Sequence, residues 1–290
     1  MLPPSVDCGM TPWISPEALQ ARLASPGLRV VDVRFSLADR EAGRRAYLAG
    51  HLPGAVFLDL ETDLSGPLAA HGGRHPLPDP ERAAAVFGAA GIDADTQVVA
   101  YDDAGGMVAG RVWWMLRWLG HERVQVLDGG VDGWLAAGGA LVAEVPDIPP
   151  AAFVPRVRDG MAVDRDWLLA HAADPGVVVV DARAPERYRG EVEPIDPRGG
   201  HIPGAINLPY AGNLDAGRFR SPEALKARFG ALADAGTVVV YCGSGVSAAH
   251  DLMALEACGI HGARLYPGSW SDWVSYDDAA IVLGDEPAGG

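Results

Sequence analysis

The chain has 290 residues, of which 23 are basic and 38 acidic, so its net charge is −15. A surface of this sign repels nucleic acids and anionic membranes, so neither is expected as a partner. Apolar residues make up 49% of the chain and charged residues 21%, which is a globular rather than a disordered composition. At about 150 residues per domain, the length favours two domains.

Cysteine content and the N-terminal sequence bear on the cellular compartment. The three cysteines, Cys8, Cys242 and Cys258, are too few for a disulfide framework. The N-terminal residues show no basic region followed by an apolar one, as a signal peptide requires. The sequence contains no uninterrupted run of about 18 apolar residues, the length that a membrane span needs. We therefore expect a soluble cytoplasmic protein, and Cys8 is assigned no role.

Predicted helices and strands alternate along the chain. A helix is expected to begin after Ser15, where Ser-Pro-Glu is a typical capping sequence, and Ser221 begins a second such helix. Continuous apolar runs predict strands that are covered on both faces, as in a parallel sheet. In chain order these runs are residues 30–31, 98–99, 124–127, 177–180 and 238–241. The alternation predicts an α/β fold in which helices flank parallel sheets.

Several motifs occur twice, in the same order and at nearly constant spacing. The matched segments are residues 29–34 with 178–183, 50–55 with 200–205, 98–102 with 238–242, and 127–134 with 266–273. Such self-similarity indicates a duplicated domain. We predict an N-terminal domain over residues 12–144, a Pro-rich extended linker over 145–160, and a C-terminal domain over 161–283.

Charged residues that recur in both copies are expected to be structural. The Asp-x-Arg motif gives Asp32 with Arg34 and Asp181 with Arg183, at the ends of buried strands. Because both copies contain these pairs, we predict ion pairs that support the fold rather than catalytic groups. The histidine of each Gly-His-x-Pro-Gly motif is interpreted in the same way.

Cys242 has a position in the sequence that is typical of an active-site residue. It follows the strand 238–241, at the carboxyl end, where open parallel sheets bind ligands. The loop at 243–247, Gly-Ser-Gly-Val-Ser, then leads into a helix. Glycines let backbone N–H groups turn inward to form an anion nest, and the helix N-terminus adds positive potential. Both effects favour a thiolate, so we predict that Cys242 is a nucleophile.

Together these elements resemble the two-domain rhodanese family of sulfurtransferases. The resemblance rests on the duplicated motifs, on the strand, cysteine, loop and helix order, and on the Gly-Ser-Trp-Ser-Asp-Trp segment at 268–273. It extends over roughly residues 12 to 280. It implies two tandem rhodanese-like domains, with catalysis in the second. The first copy has Asp102 in the position of the cysteine, which implies a catalytically silent domain.

The resemblance also implies roles for individual residues. The implied catalytic residues are Cys242, Ser244 and Ser247, and the rest of the active-site loop is Gly243, Gly245 and Val246. Arg187 and Arg198 are the implied substrate-binding arginines, since guanidinium groups can hold a carboxylate through two parallel bonds. His75 of the first domain is expected to face the active-site cleft and is the third implied substrate-binding residue. Asp63 is left without a role.

The charge of the loop indicates the sulfur donor. Family members that prefer thiosulfate have basic residues after the cysteine, whereas this loop is neutral and resembles that of 3-mercaptopyruvate sulfurtransferases. The resemblance therefore implies transfer of sulfane sulfur from 3-mercaptopyruvate, through a Cys242 persulfide, to an acceptor such as cyanide, a thiol or a thioredoxin-like protein. Thiosulfate:cyanide sulfurtransferase activity by the same mechanism is the alternative.

The sequence also bears on two other functions, a phosphatase and a sulfur carrier. A phosphatase of related fold would need an arginine after five intervening residues, where this chain has Ala248. A non-catalytic sulfur carrier, which only receives sulfur from a partner, stays open. No metal or cofactor is predicted, because no Cys/His cluster has metal spacing and no nucleotide-binding glycine motif follows a strand.

Overall fold

The first half of the protein is a parallel sheet with helices around it. The computed structural model describes residues 11–285, so Cys8 lies outside the described part. The strands of this half are β1 (Trp13–Ile14), β2 (Leu28–Asp32), β3 (Ala55–Phe57), β4 (Gln97–Tyr101) and β5 (Val124–Leu127). Its helices are α1 (Pro16–Gln20), α2 (Ala42–Ala49), α3 (Pro80–Ala89), α4 (Ala109–Trp118) and α5 (Gly130–Ala136). The strand order is β1-β5-β4-β2-β3, and all of these pairs are parallel.

The second half repeats this architecture. Its strands are β6 (Val177–Asp181), β7 (Ile206–Asn207), β8 (Leu214–Asp215), β9 (Arg218–Phe219), β10 (Thr237–Tyr241) and β11 (Arg264–Leu265). Its helices are α6 (Arg165–His171), α7 (Pro185–Tyr188), α8 (Pro222–Arg228), α9 (Ser247–Ala257) and α10 (Ser269–Trp273). The main sheet has the order β11-β10-β6-β7 and is parallel, while β8 and β9 form a small antiparallel pair. The prediction of parallel sheets with flanking helices is therefore confirmed.

Two of the predicted helix starts have the expected caps. The Ser15 side chain accepts a hydrogen bond from the N–H of Ala18 at 3.2 Å, and α1 begins at the proline that follows it. Ser221 accepts from Ala224 in the same way, at 3.3 Å, and α8 begins at the next proline. Each side chain satisfies an N–H group that a helix N-terminus leaves without a partner.

The duplicated Asp-x-Arg motif forms a buried ion pair in each half. Arg34 donates to the carboxylate of Asp32 at 2.6 Å and to the carbonyl of Gly50 at 2.8 Å. Arg183 makes the same contacts with Asp181, at 2.5 Å, and with the equivalent glycine carbonyl. Both aspartates are fully buried. Each pair thus ties a strand end to the Gly-His-x-Pro-Gly turn, and the prediction of structural ion pairs is confirmed.

Helices α4 and α9 pack against each other and join the two halves. A β-carbon built on Gly110 of α4 would lie only 3.3 Å from the backbone nitrogen of His250 and 3.2 Å from the methyl group of Met253. Glycine therefore permits a close helix crossing. One hydrophobic cluster contains buried residues of both halves, including these two helices. Because α4 follows β4 and α9 follows β10, the crossing brings the loops after both strands to the domain interface.

A buried polar cluster of His250, Asp251 and Asn213 lies next to this crossing. The fully buried His250 imidazole hydrogen-bonds the carbonyl of Gly105 in the other half at 3.1 Å, and burial lowers its pKa to about 4. Asn213 donates to one carboxylate oxygen of Asp251 at 2.6 Å. The other oxygen of Asp251 is buried and has no hydrogen-bond partner among residues 11–285. Burial raises the pKa of Asp251 to about 7.

The titration of Asp251 should make stability depend on pH. Its folded pKa lies above the ordinary value of 3.8, so the folded state favours the protonated form, and stability falls as pH rises toward 7. Asp251→Asn removes this cost. We expect the stability gain of the variant to grow by roughly 2–3 kcal/mol between pH 5 and pH 8, at about 1.36 kcal/mol per pKa unit. Urea unfolding of both proteins at the two pH values measures this, and an equal difference at both would contradict it.

Candidate active site

Cys242 lies at the bottom of a small cavity between the two domains. It follows β10 directly, and its side chain is 1% exposed. The cavity has a volume of about 140 Å³ and is lined by Cys242, by the loop that follows it and by Arg187. The first domain supplies Phe35, Leu37, Leu60, Arg74, His75 and Met107 to the lining. The nucleophile predicted from the sequence is therefore placed in an interdomain cleft.

The loop after Cys242 curls around the sulfur. The N–H of Gly245 points to the Cys242 Sγ at 3.2 Å. Gly245 has φ 75°, and a β-carbon there would lie 2.3 Å from the carbonyl oxygen of Pro267, so only glycine fits. Ser247 begins α9 and lines the same cavity, as do Ser244 and Val246. The structure thus brings together all the loop residues that the resemblance implied.

The first domain contains a comparable loop with an anion already in it. The carboxylate of Asp102, which occupies the position that matches Cys242, is fully buried. Its oxygens accept four backbone N–H groups at 2.7–2.9 Å, those of Ala104, Gly106, Val108 and Ala109. A loop of this kind after a parallel strand can therefore hold a negative charge through backbone donors alone.

Ser269 hydrogen-bonds the backbone of Cys242, and the sequence reasoning missed this residue. Its hydroxyl accepts the N–H of Cys242 at 3.1 Å and lies 4.0 Å from the sulfur. Its φ of 55° is unusual for a residue other than glycine. The segment at 268–273 contained it, but the pattern gave no reason to separate this serine from the packing tryptophans.

His75 reaches the active-site loop from the first domain. Its Nδ1 lies 2.7 Å from the hydroxyl oxygen of Ser244, and its side chain is buried. Burial, with the charges of Arg111 and Arg74, lowers the pKa of His75 to about 3, so the imidazole is neutral near pH 7. Asp63, which had no assigned role, accepts the backbone N–H of Asp59 at 2.8 Å. It belongs to a local turn.

Arg111 is a fully buried cation beneath the loop. It comes from α4 of the first domain and donates to the carbonyl of Gly245 at 3.0 Å and to that of His75 at 3.0 Å. Burial lowers the pKa of Arg111 to about 10, and the charge of Cys242 acts against that effect. The guanidinium therefore remains protonated at neutral pH. An arginine within the otherwise apolar stretch Val108–Leu116 was the sequence feature that could have identified it.

Two arginines from different domains meet above the loop. Arg187 donates to both carboxylate oxygens of Glu193, at 2.7 and 3.1 Å, and to Asp196 at 3.2 Å. Arg74 pairs with the other oxygen of Asp196. A β-carbon on Gly243 would lie 3.0 Å from Arg74 Nη2 and 3.4 Å from Arg187 Nη1. The absence of a side chain at Gly243 therefore lets both guanidinium groups approach the loop.

Arg198 is not placed with them. Its guanidinium donates to the carbonyls of Val274 and Tyr276, both at 2.7 Å, and its own carbonyl accepts the indole N–H of Trp270 at 2.8 Å. Among the described residues that line the cavity, Arg198 does not occur. Arg198 was expected in the cavity as the second substrate-binding arginine, but its Nη2 is used by the segment after α10. Arg74, which the sequence reasoning missed, stands beside Arg187 instead.

The described residues contain neither a metal-binding cluster nor a membrane-spanning helix. Between residues 11 and 285, no group of three or more His, Cys, Asp or Glu side chains is arranged to hold a metal ion. No helix in the same range is both long and apolar enough to cross a membrane. Another cavity in the described range, of about 450 Å³, is lined by Asp103, Asp132 and Arg218 but by no cysteine, whereas the cavity at Cys242 combines a cysteine with charged groups.

Comparisons with known proteins identify the family of the chain. Residues 15–137 and 164–276 each match the family model for the rhodanese-like domain. The chain is 46% identical over 278 residues to a protein of Pseudomonas aeruginosa named as a probable 3-mercaptopyruvate sulfurtransferase, covering 94% of this chain and 98% of the relative. It is 36% identical over 274 residues to the thiosulfate sulfurtransferase of Bos taurus, covering 91% and 90%.

The fold is also shared with a solved structure. The 3-mercaptopyruvate sulfotransferase SseA of Escherichia coli matches with a TM-score of 0.79 and 31% identity, covering 90% of this chain and all of that one. The predictions of two rhodanese-like domains and of a sulfurtransferase are confirmed. The chain belongs to the rhodanese family and is a sulfurtransferase.

Proposed function

We propose that the protein transfers sulfur from 3-mercaptopyruvate to a thiophilic acceptor through a persulfide on Cys242. One observation supports this most strongly: the sulfur of Cys242, which accepts the N–H of Gly245, and the guanidinium groups of Arg74 and Arg187 meet at one small cavity. A nucleophilic sulfur beside paired cations suits a small donor that carries both a reactive sulfur and a carboxylate.

The first half-reaction charges the enzyme. The Cys242 thiolate attacks the donor sulfur, an S–S bond forms, and the C–S bond of the donor breaks. The electron pair of that bond goes to carbon, which leaves as the enolate of pyruvate. The donor thiol proton ends on this carbon, so the products are pyruvate and the Cys242 persulfide anion. Backbone N–H groups of the loop stabilise the terminal sulfur anion, as the first-domain loop stabilises the Asp102 carboxylate.

Ser244 and His75 are placed to move that proton. The hydroxyl of Ser244 lies 2.7 Å from the imidazole of His75, and both residues line the cavity. Because its pKa is about 3, the imidazole is too weak a base to hold the proton, so His75 orients the Ser244 hydroxyl through this hydrogen bond. The hydroxyl takes the proton of the donor thiol and delivers a proton to the enolate carbon.

The second half-reaction discharges the enzyme. Cyanide, a small thiol or a thioredoxin-like thiol attacks the terminal sulfur, and the S–S bond breaks. The sulfur leaves on the acceptor, and the electron pair of the broken bond restores the Cys242 thiolate. The two steps form a ping-pong cycle. The acceptor needs no carboxylate, so it uses the cysteine and its loop without the arginines.

The neutral loop favours the monoanionic donor over thiosulfate. Gly243 and Ser244 add no positive charge beside the sulfur, whereas thiosulfate carries two negative charges. The cations present, Arg74 and Arg187, are already paired with carboxylates. Thiosulfate:cyanide transfer by the same persulfide is the alternative outcome of a donor comparison.

Replacing the nucleophile should abolish the reaction. Cys242→Ser is expected to show no sulfur transfer and an intact fold, since a hydroxyl is far less ionised than a thiol. Wild-type protein incubated with 3-mercaptopyruvate should gain the mass of one sulfur atom, and Cys242→Ser should gain none. Cys258→Ser serves as the control and should behave like wild type. A variant at Cys242 that retained a tenth of the wild-type rate would show that the assigned mechanism is wrong.

Removing Arg187 should affect only the first half-reaction. Arg187→Ala is expected to lower kcat/KM for 3-mercaptopyruvate by about ten- to a hundredfold, the loss of a charge-assisted bond of roughly 1.5–3 kcal/mol. The preformed persulfide should still react with cyanide at a near-normal rate. Arg187→Lys should recover part of the loss.

The matched control for this variant is Arg189→Ala. Arg189 pairs with the exposed Glu191 at 2.8 Å, so its loss should leave both half-reactions unchanged. Stopped-flow measurement of each half-reaction tests whether Arg187 contacts the donor carboxylate. An equal loss in both half-reactions, or none in either, would refute the carboxylate contact.

Removing Arg111 should reduce the reactivity of Cys242. Arg111→Met leaves the carbonyls of Gly245 and His75 without their donor, so we expect a stability loss of roughly 2–5 kcal/mol. It also removes a buried positive charge near the thiolate, and alkylation of Cys242 by iodoacetamide at pH 7 should slow about tenfold.

Arg111→Lys keeps the charge, so its Cys242 should be alkylated faster than that of Arg111→Met. Arg117→Met, on the same helix but paired with Glu256, is the control; a folded Arg111→Met protein with wild-type alkylation would contradict the assignment.

A further inference from the structure

We propose that Arg74 of the first domain is the second substrate-binding cation and that Asp196 positions it. This inference rests on the proposed function. It also gives the domain without a catalytic cysteine a direct contact with the donor. The observations that support it are the way the segment around Arg74 is fixed, the shared carboxylate of Asp196, and the charge of the cluster.

The backbone around Arg74 is fixed against the second domain. The N–H of Gly72 donates to the carboxylate of Asp272 at 2.7 Å, and the N–H of Arg74 donates to the hydroxyl of Ser271 at 3.1 Å. A β-carbon on Gly73 would lie 2.4 Å from the carbonyl oxygen of Gly268, so the two chains touch at this point. The Arg74 guanidinium therefore projects from a fixed backbone into the cavity that it lines.

Asp196 joins the two arginines. One of its carboxylate oxygens pairs with Arg74 Nη1, and the other accepts from Arg187 Nη2 at 3.2 Å. Its side chain is 4% exposed, so water does not compete strongly for these contacts. Burial raises the pKa of Asp196, while the charges of Arg74 and Arg187 act against that effect. With Nη1 of Arg74 held by Asp196, its Nη2 is the nitrogen nearest Gly243, beside the nucleophile.

Arg74 presents its Nη2 to the active-site loop. A β-carbon on Gly243 would lie 3.0 Å from this nitrogen, and Arg74 lines the cavity. A carboxylate or carbonyl oxygen of a bound donor is a suitable acceptor for it. Arg74 and Arg187 together then offer donors from both walls of the cleft to one α-keto acid.

The charges of the cluster explain a preference for a donor with one negative charge. In the described residues of this cluster, the cations Arg74, Arg183 and Arg187 face the anions Asp181, Glu193 and Asp196. The cluster is therefore neutral before the donor arrives, so every negative charge on the donor adds net negative charge to the cleft, and a dianion is disfavoured more than a monoanion. Asp196 removes the positive charge that would offset the second one, and it acts as a specificity-determining residue for the same site.

The test of Arg74 separates the two half-reactions. Arg74→Ala should raise KM for 3-mercaptopyruvate and lower kcat/KM by ten- to a hundredfold, while discharge of the preformed persulfide by cyanide stays within twofold of wild type. Arg74→Lys should recover part of the loss. Arg189→Ala is again the control. Wild-type values in the first half-reaction, or an equal loss in both, would overturn the proposal.

The test of Asp196 uses the donor preference. Asp196→Asn leaves one unbalanced positive charge, so the ratio of kcat/KM for thiosulfate to that for 3-mercaptopyruvate should rise about tenfold. In the double variant with Arg74→Ala this rise should be smaller, because the unbalanced cation is gone. An unchanged ratio in Asp196→Asn, or the same rise with and without Arg74, would contradict the positioning role.

A binding measurement keeps this inference separate from the proposed function. Pyruvate should protect Cys242 of the wild-type protein from iodoacetamide, and the concentration needed should rise at least tenfold in Arg74→Ala. This assay involves no sulfur transfer. If the wild-type protein forms no persulfide with 3-mercaptopyruvate, the proposed function fails; if pyruvate protects both proteins equally, only the role of Arg74 fails.

Discussion

The active site depends on one buried cation that connects the two domains. Arg111 extends from α4 and donates to the carbonyl of Gly245 in the catalytic loop and to that of His75 in the opposite wall. Because a buried guanidinium costs free energy unless its donors are used, these carbonyls cannot move away independently. The same residue thus fixes the loop, the wall and a positive charge near the cysteine sulfur. The close crossing of α4 and α9 is what allows one side chain to do this.

The two copies of the duplicated loop show how an anion nest becomes a catalytic site. In the first copy the carboxylate of Asp102 fills the nest and accepts four backbone N–H groups. In the second copy Cys242 places a single sulfur atom there, contacted by the N–H of Gly245. A side chain that is one atom shorter at its tip leaves space for an added sulfur atom. The same backbone design therefore serves as a stable structural unit in one domain and, in the proposed mechanism, would hold a persulfide in the other.

Sequence reasoning succeeded where the determining contacts are local. The helix caps at Ser15 and Ser221, the Asp-x-Arg ion pairs and the loop after Cys242 each depend on residues within a few positions of one another. It placed Arg187 in the cavity but missed Arg74 and Arg111. The side-chain partners of Arg74 and Arg111 lie as many as 122 and 134 positions away along the chain, so no periodicity or spacing reveals them. Arg198 was chosen by its place in a motif, whereas its orientation is decided by carbonyls that follow α10.

The division of the site between two domains explains why a domain without a catalytic cysteine is part of the machinery. The second domain alone contains Cys242, its loop and Arg187, which would suffice to form a nest with one cation. The imidazole beside Ser244, the guanidinium beneath the loop and the guanidinium beside Gly243 all come from the first domain. In the proposed mechanism each has a different role: orientation of the Ser244 hydroxyl, support of the sulfur anion and contact with the donor. Because the continuous hydrophobic cluster at the α4–α9 crossing holds the domains together, these three groups are in place before the donor arrives, and binding need not supply the free energy to assemble them.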